Sequence, residues 1–193
     1  YALVIGDIDG DGKPDLLTAN ATNSNLSILR NTSTGPGSIT FASVVNISSV
    51  SGQNSRSMAL GDFNADGKLD VVLDNYGNGT ILSAFLNKAV SGTISTGSFS
   101  PSFTLTALPS NNTQAVAVGD VDGDGKVDIV AANNTTTTLI SVLDNTSASA
   151  LTTTFATYAS YLDANGSNNN NPGSNISLAD LNGDGRLDII RCN

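Results

Sequence analysis

The chain has 193 residues, 17 of them acidic and 8 basic, with no His, no Trp, one Cys and only 13% charged residues. That length suits one domain or part of one; the lack of His removes imidazole acid–base and His-ligated metal chemistry, and a formal charge of −9 opposes binding to nucleic acid phosphates. No apolar stretch approaches the ~20 residues of a membrane-spanning helix, no signal-peptide pattern opens the chain, and Cys192 has no second cysteine to pair with.

All 17 acidic residues are Asp, an imbalance that an ordinary solvated surface does not need. Fourteen of them fall in a nine-residue pattern that occurs four times, as DIDGDGKPD from Asp7, DFNADGKLD from Asp62, DVDGDGKVD from Asp120 and DLNGDGRLD from Asp180. The spacings are 55, 58 and 60 residues, the signature of a repeat architecture. In chain order, a short apolar run leads into each copy: Ala2 to Ile5, Met58 to Leu60, Ala115 to Val118 and Ile176 to Leu178. A second leaves it: Leu16-Leu17, Val71-Val72, Ile129-Val130 and Ile189-Ile190. Apolar, largely β-branched runs around a Gly-containing turn predict a hairpin, with the nine residues as its loop. A third run follows at Leu26 to Leu29, Ile81 to Leu86 and Leu139 to Leu143, and a fourth around Phe41, Phe99 to Phe103 and Phe155. The tract from Asn165 to Gly173 reads as a surface loop.

Four strands per repeat predict an all-β chain of β-propeller blades, each a sheet of four antiparallel strands stacked on the next. The repeat boundaries are 1–56, 57–114, 115–175 and 176–193, the last one partial, giving about three and a half blades in this segment. A chain that opens inside a first strand and stops after a second is expected to be an excerpt of a larger ring or surface protein.

The loops carry the chemistry. Positions 1, 3, 5 and 9 hold oxygen-bearing side chains and position 6 is always Gly. Carboxylates converging without a cation repel by roughly 3 kcal/mol per pair at ~5 Å and an effective dielectric near 20. A hard, oxygen-seeking cation relieves this, and Ca²⁺, with six to eight oxygens in flexible geometry, fits better than Mg²⁺. The expected ligands are Asp7, Asp9, Asp11 and Asp15 with the Lys13 carbonyl, and Asp120, Asp122, Asp124 and Asp128 with the Lys126 carbonyl. The second loop offers Asp62, Asn64, Asp66 and Asp70 with the Lys68 carbonyl, and the fourth Asp180, Asn182, Asp184 and Asp188 with the Arg186 carbonyl. The second and fourth loops, one charge poorer, are expected to bind more weakly, and the basic side chain at position 7 to point outward. An EF-hand needs a Glu at position 12, where this chain has Thr18, Leu73, Ala131 and Arg191.

With these motifs the whole chain resembles the FG-GAP/VCBS repeat family, the calcium-loop β-propellers related to the head of integrin α subunits. The resemblance implies that the loop joins the first two strands of a blade, that closed rings commonly have seven blades, and that the role is cell-surface recognition. Ala65 and Ala179 depart from the family's glycines. Four Ca²⁺ would bring the formal charge from −9 to −1, so the ions are expected to act as staples, which suits the calcium of an extracellular location. The expected function is a secreted or cell-surface, non-catalytic binding or adhesion module whose partners are a protein or glycan and the rest of the parent propeller. The alternatives are a spacer in a large surface adhesin and the accessory propeller of a secreted polysaccharide- or lipid-acting enzyme. No catalytic set is evident: Asp74, Asp144 and Asp163 alone lie outside the loops, and they read as solvated loop or strand-end residues. Without Trp, sugar-stacking candidates reduce to Tyr76, Tyr158 and Tyr161, residues more often used in strand packing.

Overall fold

The structure is a computed structural model and describes residues 2–20, 25–48, 55–75, 82–101, 103–105, 113–133, 140–149, 153–161 and 175–191. The Asn165 to Gly173 tract, Tyr76, Asp163, Cys192 and the side chain of Tyr158 lie outside the described residues. Within them the chain forms fourteen strands. The first sheet is β1 (Ala2–Gly6), β2 (Asp15–Asn20), β3 (Asn25–Leu29) and β4 (Val45–Ser48). The second is β5 (Met58–Gly61), β6 (Asp70–Asp74), β7 (Leu82–Phe85) and β8 (Phe103–Leu105), and the third β9 (Thr113–Gly119), β10 (Asp128–Asn133), β11 (Ile140–Asn145) and β12 (Phe155–Tyr161). β13 (Ile176–Ala179) and β14 (Asp188–Arg191) make a two-stranded fourth sheet. In every sheet each strand pairs antiparallel with the next in sequence, and the nine-residue loop joins the first strand to the second.

The first three strands of each of the first three repeats, and both strands of the last, sit on the apolar runs predicted for them. The fourth starts later than Phe41 in the first repeat and at Phe103, the far end of its marker, in the second: Phe41 and Phe99 form isolated bridges with Asn31 and Asn87, ahead of β4 and β8. These bridges continue the third strand past the end of the ladder, so the aromatic marks where the returning chain first meets the sheet.

The sheets are β-propeller blades. The first strands neighbour one another in chain order, β1 beside β5, β5 beside β9 and β9 beside β13. The core is divided into layers between blades. Leu17, Leu26 and Ile28 of the first blade pack with Val71, Leu73 and Phe85 of the second. Val72, Leu82 and Ala84 face Ile129, Ala131 and Leu143, and Val130 and Val142 meet Ile176. Because side chains alternate across a strand, β6 sends Val71 and Leu73 one way and Val72 the other. Both faces are covered, which is why the middle strands read as unbroken apolar runs rather than as alternating ones.

Two devices set the spacing between blades. The residue before each of the first three loops is Gly6, Gly61 or Gly119, and a Cβ on Gly6 would lie 2.6 Å from Leu60 Cδ1, one on Gly119 2.6 Å from Leu187 Cδ1. The missing side chain is thus the socket for the next blade, and Ala179 closes it in the fourth. The second device is an asparagine at or just past the end of the third strand. Asn87 Nδ2 donates to the Ile8 carbonyl of the first loop at 2.7 Å and to the Leu69 carbonyl of its own blade at 3.0 Å. Asn145 Nδ2 repeats this with Phe63 at 2.9 Å and Val127 at 3.0 Å. Asn31 donates to Pro14 of its own blade.

Truncating Asn87 or Asn145 to Ala leaves two carbonyls unpaired at a blade junction and is expected to cost roughly 2 to 4 kcal/mol, against about 1 kcal/mol for Asn31→Ala. Urea unfolding of the three variants tests this ranking.

Candidate metal centres in the repeat loops

Each loop is wound by its own carboxylates. The position-1 Asp accepts backbone N–H groups from farther along: Gly12 N donates to Asp7 Oδ2 at 2.9 Å, Gly67 N to Asp62 at 2.8 Å, Gly125 N to Asp120 at 2.8 Å and Gly185 N to Asp180 at 2.8 Å. These bonds hold the exposed Asp180 carboxyl below the usual carboxylate range, the Gly185 amide contributing most. Position 3 accepts from the amide of position 5 through one side-chain oxygen, Oδ1 of Asp9, Asn64, Asp122 or Asn182. An amide oxygen accepts this bond as well as a carboxylate oxygen does, which explains why Asp and Asn alternate there without changing the loop. Position 5 in turn accepts from position 7.

The backbone supplies the curvature. Gly12, Gly67, Gly125 and Gly185 have φ between 82° and 87°, the left-handed region. Position 4 is left-handed too, and Ala65 holds φ 57° where its counterparts are Gly10, Gly123 and Gly183. The alanine therefore keeps the loop shape despite departing from glycine.

Position 9 is different in kind. Asp15, Asp70 and Asp128 are fully buried, and both oxygens of each are taken. Oδ2 accepts from the position-2 amide of the loop, Ile8 at 3.0 Å, Phe63 at 2.9 Å and Val121 at 2.9 Å. Oδ1 accepts from the amide after the third strand, Asn31 at 2.7 Å, Asn87 at 2.7 Å and Asn145 at 2.8 Å. Asp188 makes the first of these bonds, to Leu181 at 3.0 Å. Burial pushes the Asp15, Asp70 and Asp128 carboxyls up, Asp70 to about 6, and the two amides oppose it. The residue read as a metal ligand is thus also a clamp between loop and third strand. Each oxygen keeps a second acceptor site, so the two roles are compatible.

Carboxylate oxygens of Asp7, Asp9 and Asp15 lie within 4.8 Å of one another, as do those of Asp120, Asp122 and Asp128. The donor set is all oxygen, and Asp9 Oδ2 is buried without a hydrogen-bond partner, so these residues fit a hard divalent cation. Sequence reading missed a third such group, Asp122, Asp124 and Asp144. Asp144 is half-buried on β11, and only superposing the repeats on their third strands would have pointed to it. Asp11 stands against Lys13 and Arg30, outside the first group. Asn64 is buried and Asp62 half-buried, whereas Asp66, Asp180, Asn182, Asp184 and Arg186 are exposed. The position-7 side chains do not simply point outward: Lys13 Nζ is 3.7 Å from Asp11, Lys126 Nζ is 2.7 Å from Asp124, and Lys68 donates to the Ala89 carbonyl at 3.0 Å. A flexible ammonium beside a carboxylate turns back to it.

Asp74 ends β6 as a strand-end residue but is buried rather than solvated. Its Oδ1 accepts from Arg56 N at 2.6 Å and Ser57 N at 2.8 Å, and its Oδ2 has no hydrogen-bond partner. Burial raises its carboxyl from 3.8 to about 7. Between those values the folded state binds the extra proton, so this group's contribution to stability falls as pH rises toward 7 and stays low above it.

Asp74→Asn is therefore expected to raise stability at pH 8 by roughly 2 kcal/mol and to flatten the pH dependence between pH 4 and 7, read from thermal melts across pH. In calcium-free buffer Asp128→Ala is expected to cost roughly 3 kcal/mol through its two lost amide bonds, and Asp122→Ala less than about 1 kcal/mol, although as ligands both would be expected to weaken cation binding. Urea melts in chelator separate the clamp from the ligand.

No curated protein matches the chain. The family profile of the FG-GAP-like repeat matches residues 7–73 and 120–190. The first match spans the first two loops and the second match the last two, so every acidic loop lies inside a matched repeat. The chain belongs to the FG-GAP-like repeat family.

Proposed function

We propose that this chain is a calcium-stabilised propeller segment that serves as a non-catalytic recognition module on the outside of a cell. The observation that carries the reading is the same oxygen-lined loop at the same strand junction in all four repeats, with a buried Asp9 oxygen left without a hydrogen-bond partner. Asp7, Asp9 and Asp15 would hold the ion of the first loop with the Lys13 carbonyl, and Asp120, Asp122 and Asp128 that of the third with the Lys126 carbonyl. Asp62, Asn64, Asp66, Asp70 and the Lys68 carbonyl, and Asp180, Asn182, Asp184, Asp188 and the Arg186 carbonyl, would serve the other two. The ion supplies charge compensation and rigidity, not reaction chemistry.

A non-catalytic role is supported by where the carboxylates are engaged. Those of position 9 hold backbone amides, Asp74 holds two more, and the chain has neither His nor Glu to partner them. An extracellular setting is supported by the calcium available there and by a composition in which Asn, Ser and Thr number 67 of 193 residues.

Free Ca²⁺ at about a hundred times the dissociation constant contributes roughly 2.7 kcal/mol per site to the folded state. The melting temperature is expected to rise by roughly 5 °C or more per occupied site between chelator and millimolar Ca²⁺. Mg²⁺ at the same concentration should do less. An unchanged melt would refute the calcium reading. A protein and glycan array probed with and without chelator tests recognition: calcium-dependent capture supports it, and uniform silence favours the spacer.

A further inference from the structure

The residue just before the asparagine at or just past the end of the third strand differs in charge from repeat to repeat. Asn31, Asn87 and Asn145 are equivalent, because each donates its backbone N–H to the position-9 Asp of its own loop. The residues before them, Arg30, Leu86 and Asp144, therefore occupy one structural position. Arg30 turns to the first loop, with Nη1 3.3 Å from Asp11 Oδ2 and 3.5 Å from Asp9 Oδ2. Asp9 Oδ2 is the buried oxygen without a hydrogen-bond partner, so the guanidinium supplies positive charge where a bound cation would supply it. Asp144 does the reverse, placing a carboxylate within 4.8 Å of those of Asp122 and Asp124. Each loop also has its position-7 lysine at the position-5 Asp, Lys13 at 3.7 Å and Lys126 at 2.7 Å, so the lysines put one cation beside each loop and the flanking residue adds a second only at the first.

We infer that this single residue outside the loop sets the loop's affinity for a divalent cation: Arg30 is a tethered counter-cation that competes with Ca²⁺ at the first loop, and Asp144 is an added oxygen donor that strengthens the third. The inference rests on the calcium reading above and adds an order of filling to it. The two loops carry the same four Asp, so a count of loop charges makes them equal. The flanking residue separates them, and the third fills first. At low calcium the guanidinium offsets part of the first loop's charge.

The test is a Ca²⁺ titration of the full chain followed by the backbone amide resonances of Gly12 and Gly125, one reporter in each loop. A unit charge a few Å from a divalent ion is worth about tenfold in affinity even in a water-like dielectric. Gly125 is expected to respond at a Ca²⁺ concentration at least about tenfold lower than Gly12. Arg30→Gln should move the Gly12 midpoint about tenfold lower, and Arg30→Asp farther, with Gly125 unmoved; Asp144→Asn should move Gly125 about tenfold higher, with Gly12 unmoved. In chelator, Arg30→Gln should also speed hydrogen exchange of the Asp11 and Gly12 amides, a readout that needs no calcium. Matching midpoints that ignore Arg30→Gln would overturn the inference and leave the calcium reading standing. If neither glycine responds at any Ca²⁺ concentration, the calcium reading fails, and the inference with it. Should Arg30→Asp fail to fold, Arg30→Gln and Asp144→Asn decide the question.

Discussion

One buried carboxylate organises each of the first three repeats. The last Asp of the loop opens the second strand and accepts one amide from the loop and one from the chain leaving the third strand. An unpaired charge at a site without solvent would cost several kcal/mol, and the two aligned amides are what makes the site tolerable. A longer Glu would displace the oxygens from those amides, and an Asn would offer one acceptor where two are needed. The geometry thereby selects Asp at this position in the first three copies. The residue that donates the second amide is itself an asparagine, and in the second and third blades its side chain reaches the loop of the blade before. Loop shape, blade integrity and blade docking thus share one short chain of hydrogen bonds.

The division of labour within the loop follows from this clamp. Positions 1, 3 and 5 spend some of their acceptor capacity on winding the loop and keep the rest for a cation, while position 9 anchors it from below. Winding by backbone amides lets the loop approach its shape before a metal arrives, so cation binding need not pay for the whole ordering of the turn. In the proposed order of filling, affinity is then adjusted by charges brought in from outside the nine residues. This explains how loops of the same composition can differ.

Much of this was legible in the sequence because the relevant signals are short-range and repeated. The fourfold loop, its left-handed glycines and the apolar runs on either side fix the hairpin, and the repeat length leaves room for two more strands. What was not legible lies in contacts between distant positions. Arg30 and Asp144 stand well beyond their loops in sequence and look like ordinary surface residues until the third strand is laid beside the second. Asp74 reads as polar and solvated, but it is buried where the chain enters its own blade, against the Arg56 and Ser57 amides. The start of β4 escaped because Phe41 pairs in an isolated bridge before the ladder resumes. Ala65 looked like a loop defect, yet an alanine tolerates the same backbone angle at modest strain.

The central claim is that position 9 holds loop and third strand together on its own, with the cation added to a frame already closed. Amide hydrogen exchange in calcium-free buffer tests it most directly, read at Phe63, Asn87, Val121 and Asn145. The account predicts protection at these four amides comparable to that of the neighbouring strand interiors. Exchange as fast as an open surface loop, slowing only when Ca²⁺ is added, would contradict it.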